Sequence, residues 1–335
     1  MSKRVVVTGI GIISSYGYNK ETFLNNLLSK KTFISKIPNE YRKYYNFKSK
    51  FYVESPDINL SEHDFPNLYN NTISNQTKMA LLGTKNALLD AGFTLNREKN
   101  KYEINGFSKD SIIIIGTGFT NLETVFKSFE SHTKINDKIF NRMCVPLLMP
   151  NAISSWISIL FNVNGSNFTL NASCASGTYA IGQAFEKIKY QDYNMAITGG
   201  TECLRDSSGA TMRTFDNLDV LTKSEDGFPR PFSGDRSGFL YNEGASCILI
   251  LEELDHAIKR NANIYAEIIN FVSNSDSYNI VQIDKSGKQI KNLFSGIDYK
   301  DVDYINMHGT GTILNDEVEK NIIIELFGKK ENQPV

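Results

Sequence analysis

The chain has 335 residues, of which 41% are hydrophobic and 22% charged, with 23 glycines and 8 prolines. That composition supports a large buried core and excludes a disordered, collagen-like or miniature disulfide-stapled chain. Lys and Arg number 36 against 37 Asp and Glu, so the charge balance makes no case for nucleic acid or a membrane surface, and neither is expected as a partner.

In chain order, Lys3 and Arg4 precede an apolar run over residues 5–13 that imitates the charged and apolar parts of a signal peptide. The run holds Thr8, Gly9 and Gly11, and no small-x-small cleavage site follows. A buried first strand is expected instead, centred on residues 4–8, with a tight turn at Gly9 to Gly11. A dinucleotide fingerprint is disfavoured there because Ser14 replaces the third glycine and no acidic-ended strand follows about 20 residues on. Residues 39–77 turn aromatic, polar and Asn-rich without a period, and read as an insertion over the surface.

Beyond it, Met79, Leu82, Ala87, Leu88 and Ala91 keep helical spacing, and residues 111–116 form a β-branched strand. A second helix is expected around Ile181, Ala184, Phe185 and Ile188, and a third around Val318, Ile322 and Leu326. Strands are expected at 196–198, 247–251, 264–271 and 302–305. The alternation predicts an α/β fold, and the continuous apolar strands predict sheets covered on both faces. No stretch approaches the roughly 18 apolar residues of a membrane helix. The four cysteines, Cys144, Cys174, Cys203 and Cys247, lie far apart without a C-x-x-C pair. Reduced thiols in a cytoplasmic protein are therefore expected.

Two residues carry a chemical signal. Cys174 lies in residues 169–178, where an apolar strand enters and a helix rich in small residues leaves. A cysteine on such an elbow gains thiolate character from the helix N-terminus and leaves room for a thioester carbonyl. Cys144, Cys203 and Cys247 fit the ordinary alternative of an inert buried thiol. His308 closes the strand expected at 302–305 and is followed by Gly309, Thr310, Gly311 and Thr312. A strand-end imidazole is suited to polarising a carbonyl or stabilising an enolate. His63, His132 and His256 read as surface or packing residues.

The segment Asn171 to Gly177, continuing to residues 196–202, resembles the nucleophile region of the β-ketoacyl-acyl carrier protein synthases, the ketosynthases of fatty acid and polyketide assembly. Arg230, Phe232, Asp235, Arg236, Phe239 and Glu243 are similar to the block that follows it. His308 to Thr312 with Asp316 and Glu319 is similar to the family's first-histidine motif. The resemblance implies a thiolase-like layered αβαβα fold with two related halves. It places an N-terminal half with the nucleophile at residues 1–255 and a C-terminal half with the first histidine at 256–335.

By the same resemblance Cys174 takes an acyl group from an acyl carrier protein. Malonyl carrier protein then loses carbon dioxide, His308 stabilises the enolate, and a Claisen condensation follows. Glu319 organises the site from the helix behind His308, with Thr310 and Thr312 in support. No metal or redox cofactor is implied. The partners are acyl and malonyl carrier proteins and a homodimeric or heterodimeric ketosynthase-type subunit.

The family's second histidine, its lysine and its late G-F-G-G loop have no counterpart here, and no histidine follows His308. The C-terminal half is therefore expected to be incomplete. Two alternatives accompany the condensing role: a chain-length-factor-like partner subunit, and an acyltransferase or thioesterase keeping only the cysteine.

Overall fold

The computed structural model describes residues 2–66, 73–133 and 143–328. Its strands are β1 (Val5–Ile13), β2 (Ile34–Lys36), β3 (Phe51–Val53), β4 (Thr94–Arg97), β5 (Tyr102–Asn105), β6 (Ile112–Gly116), β7 (Asn167–Leu170), β8 (Met195–Cys203), β9 (Tyr241–Asn242), β10 (Gly244–Glu253) and β11 (Ala266–Ile268). The chain folds as two compact units. One contains Met1–Phe33, Val53–Ser207 and Asn242–Phe271, and the other Ile34–Tyr52, Ser208–Tyr241 and Val272–Val335.

The first unit is built on a six-stranded mixed sheet in the order β11-β1-β10-β8-β6-β7. Strand β6 pairs in parallel with β7 and β8, while β10 runs antiparallel to both β1 and β8. Every residue of β6 is buried. Ile113 and Ile115 enter one apolar cluster with the helices Asn75–Asp90 and Ala152–Phe161, and Ile112 and Ile114 enter another with the helix Ser176–Tyr190. Alternate residues of one strand thus feed two cores, which is why the central strands read as unbroken apolar runs.

The turn expected at Gly9 to Gly11 is a strand: β1 runs through to Ile13, with an irregularity between Val7 and Gly9. The glycines serve packing. A Cβ on Gly9 would stand 2.2 Å from the Ala87 carbonyl oxygen, and one on Gly11 would stand 1.9 Å from that of Gly83. Only bare backbone lets the helix Asn75–Asp90 lie this close to the strand.

Residues 39–77, expected over the surface, supply core instead, apart from 67–72, which lie outside the described residues. Ile58, Leu60, Phe65 and Ile73 join the first unit's larger cluster. Tyr41, Phe47 and Tyr52 are buried in the second unit. The stretch lacks a period because its apolar side chains are delivered one at a time from short turns and bridges rather than from one element.

The second unit holds most of a three-stranded sheet in the order β2-β3-β9, and the helices Ala210–Asn217 and Ile313–Phe327. Buried Asp216 ties it together by accepting from the backbone N–H groups of Lys48 (3.0 Å) and Ser49 (3.1 Å). The strand expected at 302–305 does not form, and residues 302–309 are irregular. A strand exists only by pairing, and no described neighbour offers residues 302–305 a ladder. The strand expected at 264–271 shrinks to Ala266–Ile268 for the same reason, since only these three residues meet partners on β1. The third expected helix forms at Ile313–Phe327. No helix among the described residues is long and apolar enough to cross a membrane.

Candidate active site

Strand β7 ends at Leu170, and the chain turns through residues 171–175 into the 15-residue helix Ser176–Tyr190. Ser173 sits in the left-handed region at φ 52°, so the elbow is strained immediately before Cys174. The strain is held by local bonds. The Ser176 hydroxyl donates to the Ser173 carbonyl at 2.6 Å and accepts from the Ala172 N–H at 2.8 Å, and the Ala175 N–H donates to the Ala172 carbonyl at 3.1 Å.

Glycines let the sheet approach from below. A Cβ on Gly116 would stand 2.2 Å from the Ser176 carbonyl oxygen, and Gly177 and Gly200 pack backbone to backbone. Cys174 itself is exposed. No side chain caps the helix that follows, so its first turn keeps free N–H groups and the partial positive charge that suits a developing oxyanion.

The other three cysteines are also free thiols. Cys144 and Cys203 are buried as expected, and burial pushes the Cys203 thiol up. Cys247, on β10, departs in part from the expectation: its surface is exposed, although the surrounding protein still pushes its thiol up.

In the second unit, exposed His308 stands in an irregular segment rather than at a strand end. Its backbone is fixed from the helix Ile313–Phe327. Glu319 Oε1 accepts from the His308 N–H and Oε2 from the Gly309 N–H, each at 2.8 Å. Asn315 Nδ2 donates to Glu319 Oε2 at 2.8 Å and keeps that carboxylate in place. The hydroxyls of Thr310 and Thr312 bond each other at 2.9 Å, directly before the helix begins.

Asp316, on the same helix, is buried and accepts from the N–H groups of Gly311 (3.0 Å) and Phe232 (2.7 Å). Arg236 Nε lies 3.5 Å from Asp316 Oδ2. Asp316 was legible as part of a motif but not as a residue that holds two loops. Cys174 belongs to the first unit, and His308, Thr310, Thr312 and Glu319 to the second.

Of the remaining histidines, His256 places Nδ1 2.8 Å from Glu252 Oε2 in a cluster with Arg260 and Thr8, a packing role. Burial lowers His63 below the usual imidazole value.

The Beta-ketoacyl synthase N-terminal domain family model matches residues 2–257, and the C-terminal domain model matches 265–335. The chain is 30% identical to 3-oxoacyl-[acyl-carrier-protein] synthase 1 of Buchnera aphidicola, over 98% of this chain and 78% of that relative. It is 31% identical to 3-oxoacyl-[acyl-carrier-protein] synthase 2 of Staphylococcus aureus, with the same two shares, 98% and 78%. Among solved structures, a type II polyketide synthase acyl-carrier protein in complex with its ketosynthase matches with a TM-score of 0.81 at 23% identity, covering 98% of this chain and 78% of that one. The ishigamide ketosynthase/chain length factor matches with a TM-score of 0.81 at 24% identity, covering 98% and 79%. At these identities the solved structures establish a common fold, the thiolase-like fold of ketosynthases.

Proposed function

Because the chain belongs to the β-ketoacyl synthase family, the condensing enzymes of fatty acid and polyketide biosynthesis, we propose that Cys174 is its acyl acceptor and His308 its enolate-stabilising residue. The observation that carries this reading is the exposed Cys174 on a strained elbow before an uncapped 15-residue helix. The Cys174 thiolate attacks the carbonyl of an acyl thioester on a carrier protein. The backbone N–H of Cys174 supplies one donor to the tetrahedral oxyanion, the carrier sulfur leaves with the proton that the Cys174 thiol gave up on becoming a thiolate, and an acyl-cysteine remains.

A malonyl thioester then loses carbon dioxide as its carbon–carboxylate bond breaks. His308 donates a hydrogen bond to the thioester oxygen of the resulting enolate. The enolate carbon attacks the acyl-cysteine carbonyl, a carbon–carbon bond forms, and the Cys174 thiolate departs. Glu319 acts through the backbone, since its oxygens hold the His308 and Gly309 N–H groups rather than the imidazole. Thr310 and Thr312 support the turn between that loop and the helix. The nucleophile half is assigned to residues 1–255 and the histidine half to 256–335, in a cytoplasmic dimer of ketosynthase-type subunits.

A second reading is a chain-length-factor-like partner subunit, favoured by the match to a ketosynthase/chain length factor structure. Incubation with an acyl thioester followed by mass spectrometry separates the two. The condensing role expects one acyl group on Cys174, absent in Cys174→Ala, and loss of condensation in that variant. Full condensation by a complex containing Cys174→Ala supports the partner role.

A further inference from the structure

Glu202 is a carboxylate that the condensation chemistry does not use and that lies beside the nucleophile elbow. Glu202, near the end of β8, has Oε2 accepting from the N–H groups of Gly118 (2.7 Å) and Phe119 (3.1 Å). Its Oε1 faces Gln76 Nε2 at 3.3 Å and Thr117 Oγ1 at 3.4 Å. Gln76 is buried and also bonds the Thr117 hydroxyl (2.6 Å), the Phe119 carbonyl (2.9 Å) and the Asn121 N–H (2.9 Å).

The same two peptide units turn their carbonyls toward the nucleophile elbow. The Thr117 carbonyl accepts from the Ser176 hydroxyl at 3.2 Å, and the Gly118 carbonyl accepts from Asn171 Nδ2 at 2.6 Å. Ser176 and Asn171 are the residues that shape the elbow: the Ser176 hydroxyl bonds the Ser173 carbonyl at 2.6 Å, and Asn171 Oδ1 accepts the Ser173 N–H at 3.1 Å. Two successive peptide groups therefore stand between Glu202 and the residue preceding Cys174. A Cβ on Gly118 would lie 2.8 Å from Glu202 Oε2, so a side chain there would push the carboxylate aside.

We propose that Glu202 is a positioning residue for the reaction of Cys174, fixing the elbow through the peptide groups on either side of Gly118. This rests on Cys174 being the acyl acceptor. A part-buried carboxylate is an unfavourable choice for filling space, and burial does raise Glu202 above the usual carboxylate range. What it supplies is an anionic oxygen, Oε2, to the two converging N–H groups of Gly118 and Phe119, bonds that hold a geometry more tightly than neutral ones.

The test compares the native chain with Glu202→Gln, Glu202→Ala and Gly118→Ala. Three quantities are measured: acylation of Cys174 by an acyl N-acetylcysteamine thioester, alkylation of Cys174 by iodoacetamide, and thermal stability. Glu202→Ala is expected to slow acylation by about 10- to 100-fold, the scale of a misplaced reacting group. Glu202→Gln keeps one acceptor oxygen and sets an amide N–H₂ against the Gln76 amide, so it falls between alanine and native. The facing donors offset the burial cost of the charge that is removed, so its melting temperature at pH 7 is expected to change less than its acylation rate, whereas a purely structural role loses stability and rate together.

Gly118→Ala gives the same defect, and the double substitution with Glu202→Ala gives no more than one of them alone. The proposal is overturned by acylation and alkylation within two-fold of native in both Glu202 variants, or by losses that add in the double variant. A native chain that is alkylated but never acylated at Cys174 overturns the functional reading instead, while the alkylation rates still report on the elbow.

Discussion

The loops around Cys174 and His308 are held by the same kind of bond, backbone N–H groups donating to a carboxylate, yet they rest on different supports. Behind Cys174 stand two buried or nearly buried strands, β6 and β8, and a glycine contact too close for any Cβ at Gly116, with Gly200 packed tightly against Gly177. Behind His308 stands one helix, whose Glu319 and Asp316 bond four N–H groups, those of His308, Gly309, Gly311 and Phe232. On the reading proposed above, the sulfur that must meet a carbonyl within a fraction of an ångström rests on sheet backbone, and the imidazole that donates a hydrogen bond rests on side chains. The first arrangement responds to changes in volume, and the second to changes in charge.

The largest expected effect tests whether the sheet is as rigid as this contrast requires. Glu252 on β10 is completely buried, and Arg260, His256 and Thr8 all bond it. Burial is the strongest influence on this carboxyl and pushes its pKa up, but Arg260, Thr8 and His256 together overcome it and hold it below the usual value. A depressed folded pKa stabilises the fold above the unfolded value of 4.5, and that contribution is lost as the pH falls through the folded value. Arg260→Ala removes the principal cation and leaves a buried charge, at a cost of about 3–5 kcal/mol at neutral pH. In the variant burial is less opposed, so the deficit relative to native shrinks as the pH is lowered toward the unfolded carboxyl value. Denaturant melts at several pH values check this, and a deficit that stays constant or grows on acidification argues against it.

The next effect sharpens the contrast from the histidine side. Glu319→Ala releases the His308 and Gly309 N–H groups and is expected to slow malonyl decarboxylation by about 10²- to 10³-fold, the scale of one lost preorganised donor. Acylation of Cys174, which belongs to the other unit, stays near native. Parallel assays of carbon dioxide release and acyl-enzyme formation separate the steps. An equal fall in both shows that Glu319 supports more than its own loop.

Much of this was legible in the sequence where the cause is local. The helices Asn75–Asp90, Ser176–Tyr190 and Ile313–Phe327 follow from apolar spacing, and Cys174 and His308 stand out as candidates by the residue types that flank them. Where the cause is a distant neighbour, the reading failed. Gly9 and Gly11 look like a turn until the helix that needs their bare backbone is known. Residues 302–305 look like a strand because their composition is strand-like, while pairing belongs to whatever lies beside them. Glu202 and Gln76 carry no local signal, since their partners at Gly118, Phe119 and Asn121 are distant in sequence. Asp316 and Glu319 are each other's near neighbours in sequence, but only the fold shows that they grip backbone rather than a side chain.

The smallest effect concerns the strain at the elbow. Ser173 is a non-glycine residue at φ 52°, a conformation that costs a side chain of order 1 kcal/mol and that glycine adopts freely. The bonds that Ser173 makes to Asn171 and Ser176 run through its own N–H and carbonyl, not its hydroxyl. Ser173→Gly therefore keeps every bond that shapes the elbow while relieving the left-handed strain, and glycine's greater unfolded freedom offsets part of the gain. A change of less than about 1 kcal/mol in unfolding free energy is expected, with Cys174 acylation within two-fold of native. Should acylation collapse while stability rises, the elbow depends on the strain itself, and the rigid bonds around it would then serve to store that strain rather than merely to place the sulfur.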